Sequence, residues 1–193
     1  LLKTATDLGV IIMNGMEVLS YHDNNKSVSV NFKNDTTIDC RKLHVATNGF
    51  AKQLMPDLDV QPARAQVLIT SEIDNLKLDG TFHMNEGYYY FRNVGNRVLL
   101  GGGRELDFES ETTTEIATSE LIQSKLEQLL KTCILKGIEH KIDHRWAGIM
   151  GVGVAKRAIV HRFSDTITCS VRMGGMGVAI GTSIGKKSAQ MIG

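Results

Sequence analysis

The 193-residue sequence lacks a basic run, a long apolar run and a strongly unbalanced charge. Its 22 Lys and Arg are offset by 21 Asp and Glu, and the formal net charge is +1. This balance gives no electrostatic basis for binding nucleic acid or an anionic membrane. No apolar stretch approaches the roughly 20 residues of a membrane helix. We therefore expect neither nucleic acid nor a membrane among its partners.

Metal and disulfide patterns are also missing. Cys40, Cys133 and Cys169 are odd in number and far apart, which fits neither a zinc pattern nor a disulfide framework. We interpret them as structural thiols in a reducing compartment, which predicts a cytoplasmic protein. His140 and His144 flank Ile142 in a predicted strand, where a spacing of four does not suit a metal, so no metal site is expected. A Gly-x-Ser-x-Gly elbow is absent, although composition leaves a Ser–His–Asp triad open.

The chain begins without an initiator Met or a signal-peptide pattern. Residues 1–8 instead resemble the end of a helix that stops at Gly9. We expect such a chain to be a piece of a longer protein, with any upstream targeting signal outside it.

The amino-terminal part predicts short strands at residues 10–12 and 16–21, followed by an antiparallel meander through residues 27–32 and 37–40. A short apolar strand at residues 43–46 then enters a polar turn with a glycine and a short helix. This order is typical of a nucleotide-binding α/β sheet, although on its own it is a weak signal.

The central part predicts a sheet covered by a helix. Residues 66–70, 87–92 and 97–101 are rich in β-formers, and the last two form a hairpin that carries four aromatic side chains. Thr112 and Glu115 form a capping-box pattern that predicts a helix from there to about Lys136. Together they indicate an α+β unit over residues 60–140.

The closing part predicts strands at residues 142–147, 159–163 and 166–171, a glycine-rich loop at residues 172–177, and a final helix at residues 177–192. Glycines permit tight turns and close approach of a ligand, and a helix start offers unpaired N–H groups. Such a loop suits a phosphate, a carboxylate or the electron-rich edge of a reduced flavin. A turn that only lets the helix pack is an equally good interpretation of these residues.

Two further features each allow two interpretations. Strand alternation sends Tyr88 and Tyr90 to one face of the hairpin and Tyr89 and Phe91 to the other, so one pair is core and the other could line a cavity. Arg104, after three glycines, could hold a carboxylate. The residues alone favour the plainer alternative, a surface ion pair between Arg104 and Glu105 or Asp107.

The order of the motifs resembles the D-amino-acid oxidase and glycine oxidase superfamily of FAD-dependent oxidoreductases. Six blocks carry the resemblance: residues 45–50 (VATNGF), 62–67 (PARAQV), 88–92 (YYYFR), 96–104 (NRVLLGGGR), 146–151 (WAGIMG) and 175–178 (GMGV). Each block is modest, but their joint order is specific and spans nearly the whole chain. The amino-terminal GxGxxG segment of such proteins is absent, so the main FAD pyrophosphate site is expected outside this chain.

The resemblance implies an α+β (α/β) fold: part of a FAD-binding domain plus a substrate domain with a mixed or antiparallel sheet and a covering helix. It divides the chain into residues 1–58 as a partial FAD-binding domain, residues 59–140 as the substrate domain, and residues 141–193 as the return to the FAD-binding domain.

The resemblance also implies a set of cofactor residues. Val18 would contact adenine through its backbone, and the turn at residues 47–49 and the loop at residues 174–178 would line the FAD cleft, with amides of the loop facing the isoalloxazine C2=O. These residues are Val18, Thr47, Asn48, Gly49, Gly174, Gly175, Met176, Gly177 and Val178. No cysteine matches a site of covalent flavin attachment, so FAD would be non-covalent.

For the substrate, Tyr89 matches a carboxylate-contacting tyrosine of relatives. Two arginines that hold the carboxylate in glycine oxidase-like members would fall near Met150 and Gly175, so both are missing here. Arg92 and Arg104 are available replacements, although neither is aligned.

The implied activity is oxidation of a C–N bond in a small amine or amino acid by hydride transfer to flavin. The implied partners are that substrate and the amino-terminal segment of the same protein, without which we expect poor FAD binding and no activity. A non-catalytic binding or interaction domain that keeps the substrate-domain fold is the main alternative. A tRNA- or nucleotide-modifying relative would need a basic surface, which the neutral composition does not provide.

Overall fold

A computed structural model describes residues 1–193 as three β-sheets with a helix on each of two of them. The chain opens with a short helix, α1 (Leu2–Asp7), and ends with the longer α3 (Gly177–Ile192). The mixed α+β class expected from the sequence is confirmed. No helix combines the length and the apolar character that crossing a membrane requires.

The first sheet is an antiparallel meander of β1 (Val18–Asp23), β2 (Val28–Phe32) and β3 (Thr37–Cys40). The alternating apolar residues of β2 are buried, as the period of two predicts. The strand predicted at residues 10–12 is wrong, because that segment is an exposed, irregular connection between positive-φ glycines at Gly9 and Gly15 and has no strand beside it.

The second sheet brings distant parts of the chain together. The short β4 (Leu43–Val45) runs parallel to β11 (Ile167–Val171), which pairs on its other side with β10 (Ile159–Arg162). One edge of β4 is unpaired, because β4 is the outermost strand of this sheet. All of β11 is buried, and its apolar side chains pack with those of β2 in one hydrophobic core, which joins the first two sheets.

The third sheet is antiparallel, with the strand order β6-β7-β8-β5-β9. Its strands are β5 (Gln61–Thr70), β6 (Thr81–Met84), β7 (Tyr89–Val94), β8 (Arg97–Gly102) and β9 (Ile142–Val152). The predicted tyrosine hairpin is β7 and β8. Because β9 pairs along the whole of β5, residues 142–152 lie in the sheet of the central segment, and the division drawn at residues 140 and 141 does not follow the strand pairing.

The covering helix α2 (Glu120–Leu129) is shorter than predicted and continues as a π-helical turn, Leu130–Ile134. The predicted start at Thr112 is wrong. Thr113 Oγ1 instead accepts a local hydrogen bond from the Glu115 amide, and Ile116 is exposed. The helix begins only after Ser119, whose amide donates to the side chain of Gln66 on β5. A tertiary contact, rather than the local capping pattern, therefore fixes its start.

A buried polar network fastens the segment before α2 to the sheet. Arg64 on β5 donates through Nη2 and Nε to the two carboxylate oxygens of Glu111, at 2.6 and 3.0 Å. Gln66 Nε2 donates to the same carboxylate at 3.0 Å. Arg64 and Glu111 are 7% and 1% exposed, and the hydrogen bond from the guanidinium to the carboxylate raises the pKa of Arg64. Both charges are thus paired where water cannot solvate them.

Candidate active site

The glycine-rich loop lies where two parallel strands end. The carboxyl end of β4 leads into Asn48, and that of β11 leads into Met173. Asn48 Oδ1 accepts a hydrogen bond from the Met173 amide at 3.0 Å, and the Gly174 amide donates to the Gly151 carbonyl at 2.9 Å. The loop is therefore held from both sides. Ligands of open α/β sheets bind at this end of parallel strands.

Two glycines allow this close packing. A Cβ on Gly49 would lie 2.6 Å from the Met150 carbonyl oxygen, and one on Gly151 would lie 2.7 Å from Asn48 Oδ1. Both distances are far below van der Waals contact. Asn48 itself has φ +45°, a left-handed conformation that asparagine tolerates better than most residues. The turn after β4 and the end of β9 are thus locked together.

Three backbone N–H groups around the start of α3 have no acceptor within the chain: those of Gly175, Gly177 and Val178. The neighbouring Met176 amide, by contrast, donates to the Met173 carbonyl at 2.9 Å. Unpaired donors at a helix start carry partial positive charge. This part of the chain can therefore bind an anion or an electron-rich ring edge.

The predicted cofactor residues line neighbouring depressions around these strand ends. Asn48, Gly175, Gly177 and Val178 line a largely apolar groove of about 630 Å³ along α3. Val18 and Thr47 line a second depression, of about 470 Å³, between β1 and the turn after β4. Gly49 lies buried beneath the turn and contacts neither space.

A third cavity, of about 480 Å³, is shared by the glycine-rich loop and the tyrosine hairpin. We name it the tyrosine cavity. Its lining includes Tyr88, Tyr90, Arg104, Phe108, His83, Met150, Gly174, Gly175 and Met176. Burial raises the pKa of Tyr90, so its hydroxyl stays protonated and can donate a hydrogen bond. Gly175 and Met150 also line the groove along α3, so the two spaces meet at the loop.

Two predicted substrate residues lie elsewhere. The structure places Tyr89 on the opposite face of the sheet, 3% exposed in the core beneath α2. Burial, with a hydrogen bond to Glu105, raises the pKa of this phenol. Arg92 is exposed and does not line the tyrosine cavity. The alternation expected from the sequence separated Tyr88 and Tyr90 from Tyr89 but left open which pair lines a cavity. The structure places Tyr90 on β7 and Tyr88 just before β7 at the tyrosine cavity.

Arg104 is the third predicted substrate residue, and it lies at the tyrosine cavity without a carboxylate partner. The expected ion pair with Glu105 or Asp107 does not form. Its Nε is buried and lacks a hydrogen-bond acceptor, Nη2 donates to Thr112 Oγ1 at 3.2 Å, and Cζ lies 4.9 Å from the centre of the Phe108 ring. Burial lowers the pKa of Arg104, and the charge of Glu111 opposes that shift.

Two other residues of the cavity had no signal in the sequence. Phe108 and His83 come from a loop and an edge strand whose position only the folded chain defines. Met150 faces both the groove and the cavity from β9. No group of three or more His, Cys, Asp or Glu side chains is arranged to hold a metal ion.

Replacing Asn48 with alanine should destabilise the protein by about 1–3 kcal/mol, because the Met173 amide loses its acceptor. The matched control is Asn25→Ala, since Asn25 also has a positive φ, of 67°, but lies in an exposed turn. The shift of the urea unfolding midpoint measures both. Equal shifts would mean that only the left-handed backbone, and not the hydrogen bond to the loop, matters at Asn48.

The sequence model of the family described as DAO, FAD dependent oxidoreductase, matches residues 1–191. The chain therefore belongs to the DAO family of FAD-dependent oxidoreductases. A sequence search of curated proteins gives no significant match.

Solved structures share the fold at low sequence identity. Iminodiacetate oxidase from Chelativorans sp. BNC1 matches with a TM-score of 0.81 and 19% identity, over 99% of this chain and 52% of that one. L-proline dehydrogenase from P. horikoshii matches at 0.79 and 15%, over 98% and 52%. Glycine oxidase from Geobacillus kaustophilus matches at 0.79 and 15%, over 97% and 50%. The chain thus spans about half the length of each of these relatives.

Proposed function

We propose that this chain supplies the substrate cavity and one wall of the flavin site of a FAD-dependent oxidoreductase that oxidises a C–N bond of an amine or amino acid. One observation carries the proposal: Gly175, whose amide is unpaired, lies where the tyrosine cavity meets the groove along α3, and Gly177 and Val178, whose amides are also unpaired, line that groove. The oxidases and the dehydrogenase that share the fold act, by their names, on iminodiacetate, glycine and proline. The substrate of this chain is proposed by analogy with them.

The residues fit a flavin in charge and in shape. The free N–H groups of Gly175, Gly177 and Val178 suit a ring edge that gains electrons, since their dipoles are fixed before the reaction. Val18 and Thr47 in the neighbouring depression suit the adenosine end of the cofactor. When bound, FAD would accept the hydride from the substrate carbon.

The chain's own contribution would be orientation. Tyr88 and Tyr90 provide an aromatic wall with hydroxyl groups, and the glycine-rich loop forms another part of the lining. Holding the reacting carbon against a flat ring lowers the entropy cost of reaction. No acidic side chain lines the tyrosine cavity, so a substrate amine would be favoured there as the neutral base. A neutral amine, with its lone pair free, is the form from which a hydride can leave.

Two surfaces suit the nucleotide-binding segment that this chain does not contain. The free edge of β4 can pair with one more strand. Helix α3 rests on β10 and β11 but buries only Ser188, and Val178 is fully exposed at its start. We propose that the GxGxxG-bearing segment of the same protein docks here.

Replacing Gly175 with alanine should weaken FAD binding about tenfold or more. Gly175 has φ +80°, and a Cβ would lie 3.1 Å from Met150 Sδ, so alanine forces the loop to move at a cost of about 1–3 kcal/mol. FAD affinity is measured by flavin fluorescence with the protein expressed at the length its gene encodes.

The matched control is Gly15→Ala, since Gly15 has φ +70° and no atom within 4 Å of a new Cβ. It should keep the wild-type affinity. Wild-type protein that binds no flavin would refute the proposed function and favour a binding domain that keeps only the fold. Equal loss in both variants would show that backbone strain at a distance, not the loop, controls binding.

A further inference from the structure

We propose that the tyrosine cavity selects substrates with a carboxylate, and that Arg104 is the residue that binds this carboxylate. The inference rests on the proposed function and narrows its substrate class from amines in general to amino acids. The resemblance implies that relatives bind the carboxylate with two arginines at positions near Met150 and Gly175. Here we assign that positive charge to Arg104, which follows β8.

The first support is that Arg104 lacks a carboxylate partner. The other arginines with limited exposure are paired: Arg64 with Glu111, Arg172 with Asp59, and Arg97 with Asp143. The Arg104 guanidinium donates to Thr112 Oγ1 and lies over the Phe108 ring, neither of which carries a charge, and its buried Nε has no acceptor. Arg104 is half-buried, so a ligand carboxylate beside its guanidinium would supply the counter-ion that the free protein lacks.

The second support is the charge of the cavity as a whole. Its lining contains the one guanidinium and no Asp or Glu side chain. The nearest acidic influence on Arg104 is Glu111, whose two oxygens are already occupied by Arg64 and Gln66. The space therefore favours an anionic group.

The third support is geometric. The three glycines before Arg104 end β8, and Gly103 takes φ +84°, which turns the chain so that Arg104 begins a short 3-10 turn beside the hairpin. Tyr90 lies over Gly101, where a Cβ would come within 2.5 Å of its hydroxyl oxygen. A carboxylate at Arg104 would thus lie near the tyrosine wall, with the rest of the ligand directed along the cavity toward the glycine-rich loop.

Isothermal calorimetry with phenylacetate and its neutral isostere phenylacetamide tests the inference without turnover. The aromatic wall of Tyr88 and Phe108 can hold either ring, so only the carboxylate differs. Wild-type protein should bind phenylacetate at least tenfold more tightly than the amide. Arg104→Met should remove that preference and leave the amide affinity within about twofold.

Two further variants make the result specific. Arg92→Met removes the other candidate arginine, which lies on the same strand as the tyrosines but outside the cavity, and Arg41→Met removes an exposed arginine remote from it. Both should keep the preference for phenylacetate. The assignment of Arg104 would be overturned if Arg92→Met lost the preference for phenylacetate, or if Arg104→Met kept it.

Flavin absorbance of the same samples separates this inference from the proposed function. If the protein holds flavin but Arg104→Met keeps the preference for phenylacetate, the carboxylate site is refuted and the oxidoreductase proposal still stands. If the preference for phenylacetate depends on Arg104 but the protein holds no flavin, the carboxylate site is supported and the oxidoreductase proposal is refuted. Turnover adds a last check, because Arg104→Met should lower kcat/KM for phenylalanine about tenfold or more and spare phenethylamine.

Discussion

Replacing Glu111 with alanine is expected to destabilise the protein by about 3–5 kcal/mol. The carboxylate is 1% exposed and accepts hydrogen bonds from Arg64 and Gln66. Its removal leaves the Arg64 guanidinium buried without a counter-ion, which costs more than the lost attraction alone. The unfolding midpoint in urea, followed by circular dichroism, measures the effect.

A matched control lies two residues away. Glu109 is exposed and takes part in no ion pair, so Glu109→Ala should change stability by less than about 0.5 kcal/mol. The double variant Arg64→Met with Glu111→Leu should recover most of the loss, because no unpaired charge then remains in the core. If Glu111→Ala were no worse than Glu109→Ala, the buried pair would not exist in solution.

The second large effect is expected at Gly102, the last residue of β8. It has φ +126°, and a Cβ there would lie 2.0 Å from the Tyr88 carbonyl oxygen. Valine would suffer backbone strain of about 1–3 kcal/mol and an overpacking cost of similar size, so Gly102→Val should lose about 2–6 kcal/mol. Because β7 must move away, the tyrosine cavity should also open and phenylacetate binding should fall.

Gly95→Ala is the control for Gly102, since Gly95 has φ +58° in the hairpin turn but nothing within 4 Å of a new Cβ. Gly95→Ala should lower the free energy of unfolding by only about 1 kcal/mol, which is the strain of alanine in a left-handed backbone conformation. Thermal unfolding and calorimetry on both variants measure stability and binding separately. A Gly102→Val variant as stable as Gly95→Ala would mean that β7 and β8 are not in the register described.

These two sites are linked through the segment between them. Arg104 and Phe108 lie between the end of β8 and Glu111, so both ends of the segment are anchored to the sheet. The Glu111 backbone is fixed as well, because its carbonyl accepts from the Arg64 amide at 2.8 Å. Stability of the network and the position of the proposed carboxylate site should therefore change together.

Part of the site was predictable from local patterns. Alternation along β7 separates Tyr90 from Tyr89, since successive strand residues point to opposite sides, but only the packing of α2 decides that Tyr89 is core and Tyr90 lines the cavity. The start of α3 predicted unpaired N–H groups, and those of Gly175, Gly177 and Val178 have no acceptor, whereas that of Gly174 donates to the Gly151 carbonyl. Tyr89, which the resemblance matches to a carboxylate-contacting tyrosine of relatives, lies in the core. The capping pattern at Thr112 failed because local hydrogen bonds compete with tertiary ones, and Gln66 from β5 fixed the helix start at Ser119 instead.

By itself the sequence determined the family, most of the sheet-forming segments and the glycine-rich loop, because these depend on residue type and on short periods along the chain. Only the tertiary structure decided which of these segments contact one another. The meeting of Met173 with Asn48, more than a hundred residues apart, and the unpaired state of Arg104 depend on contacts between distant segments. Burial and the absence of a partner are properties of packing in three dimensions, so no local pattern encodes them.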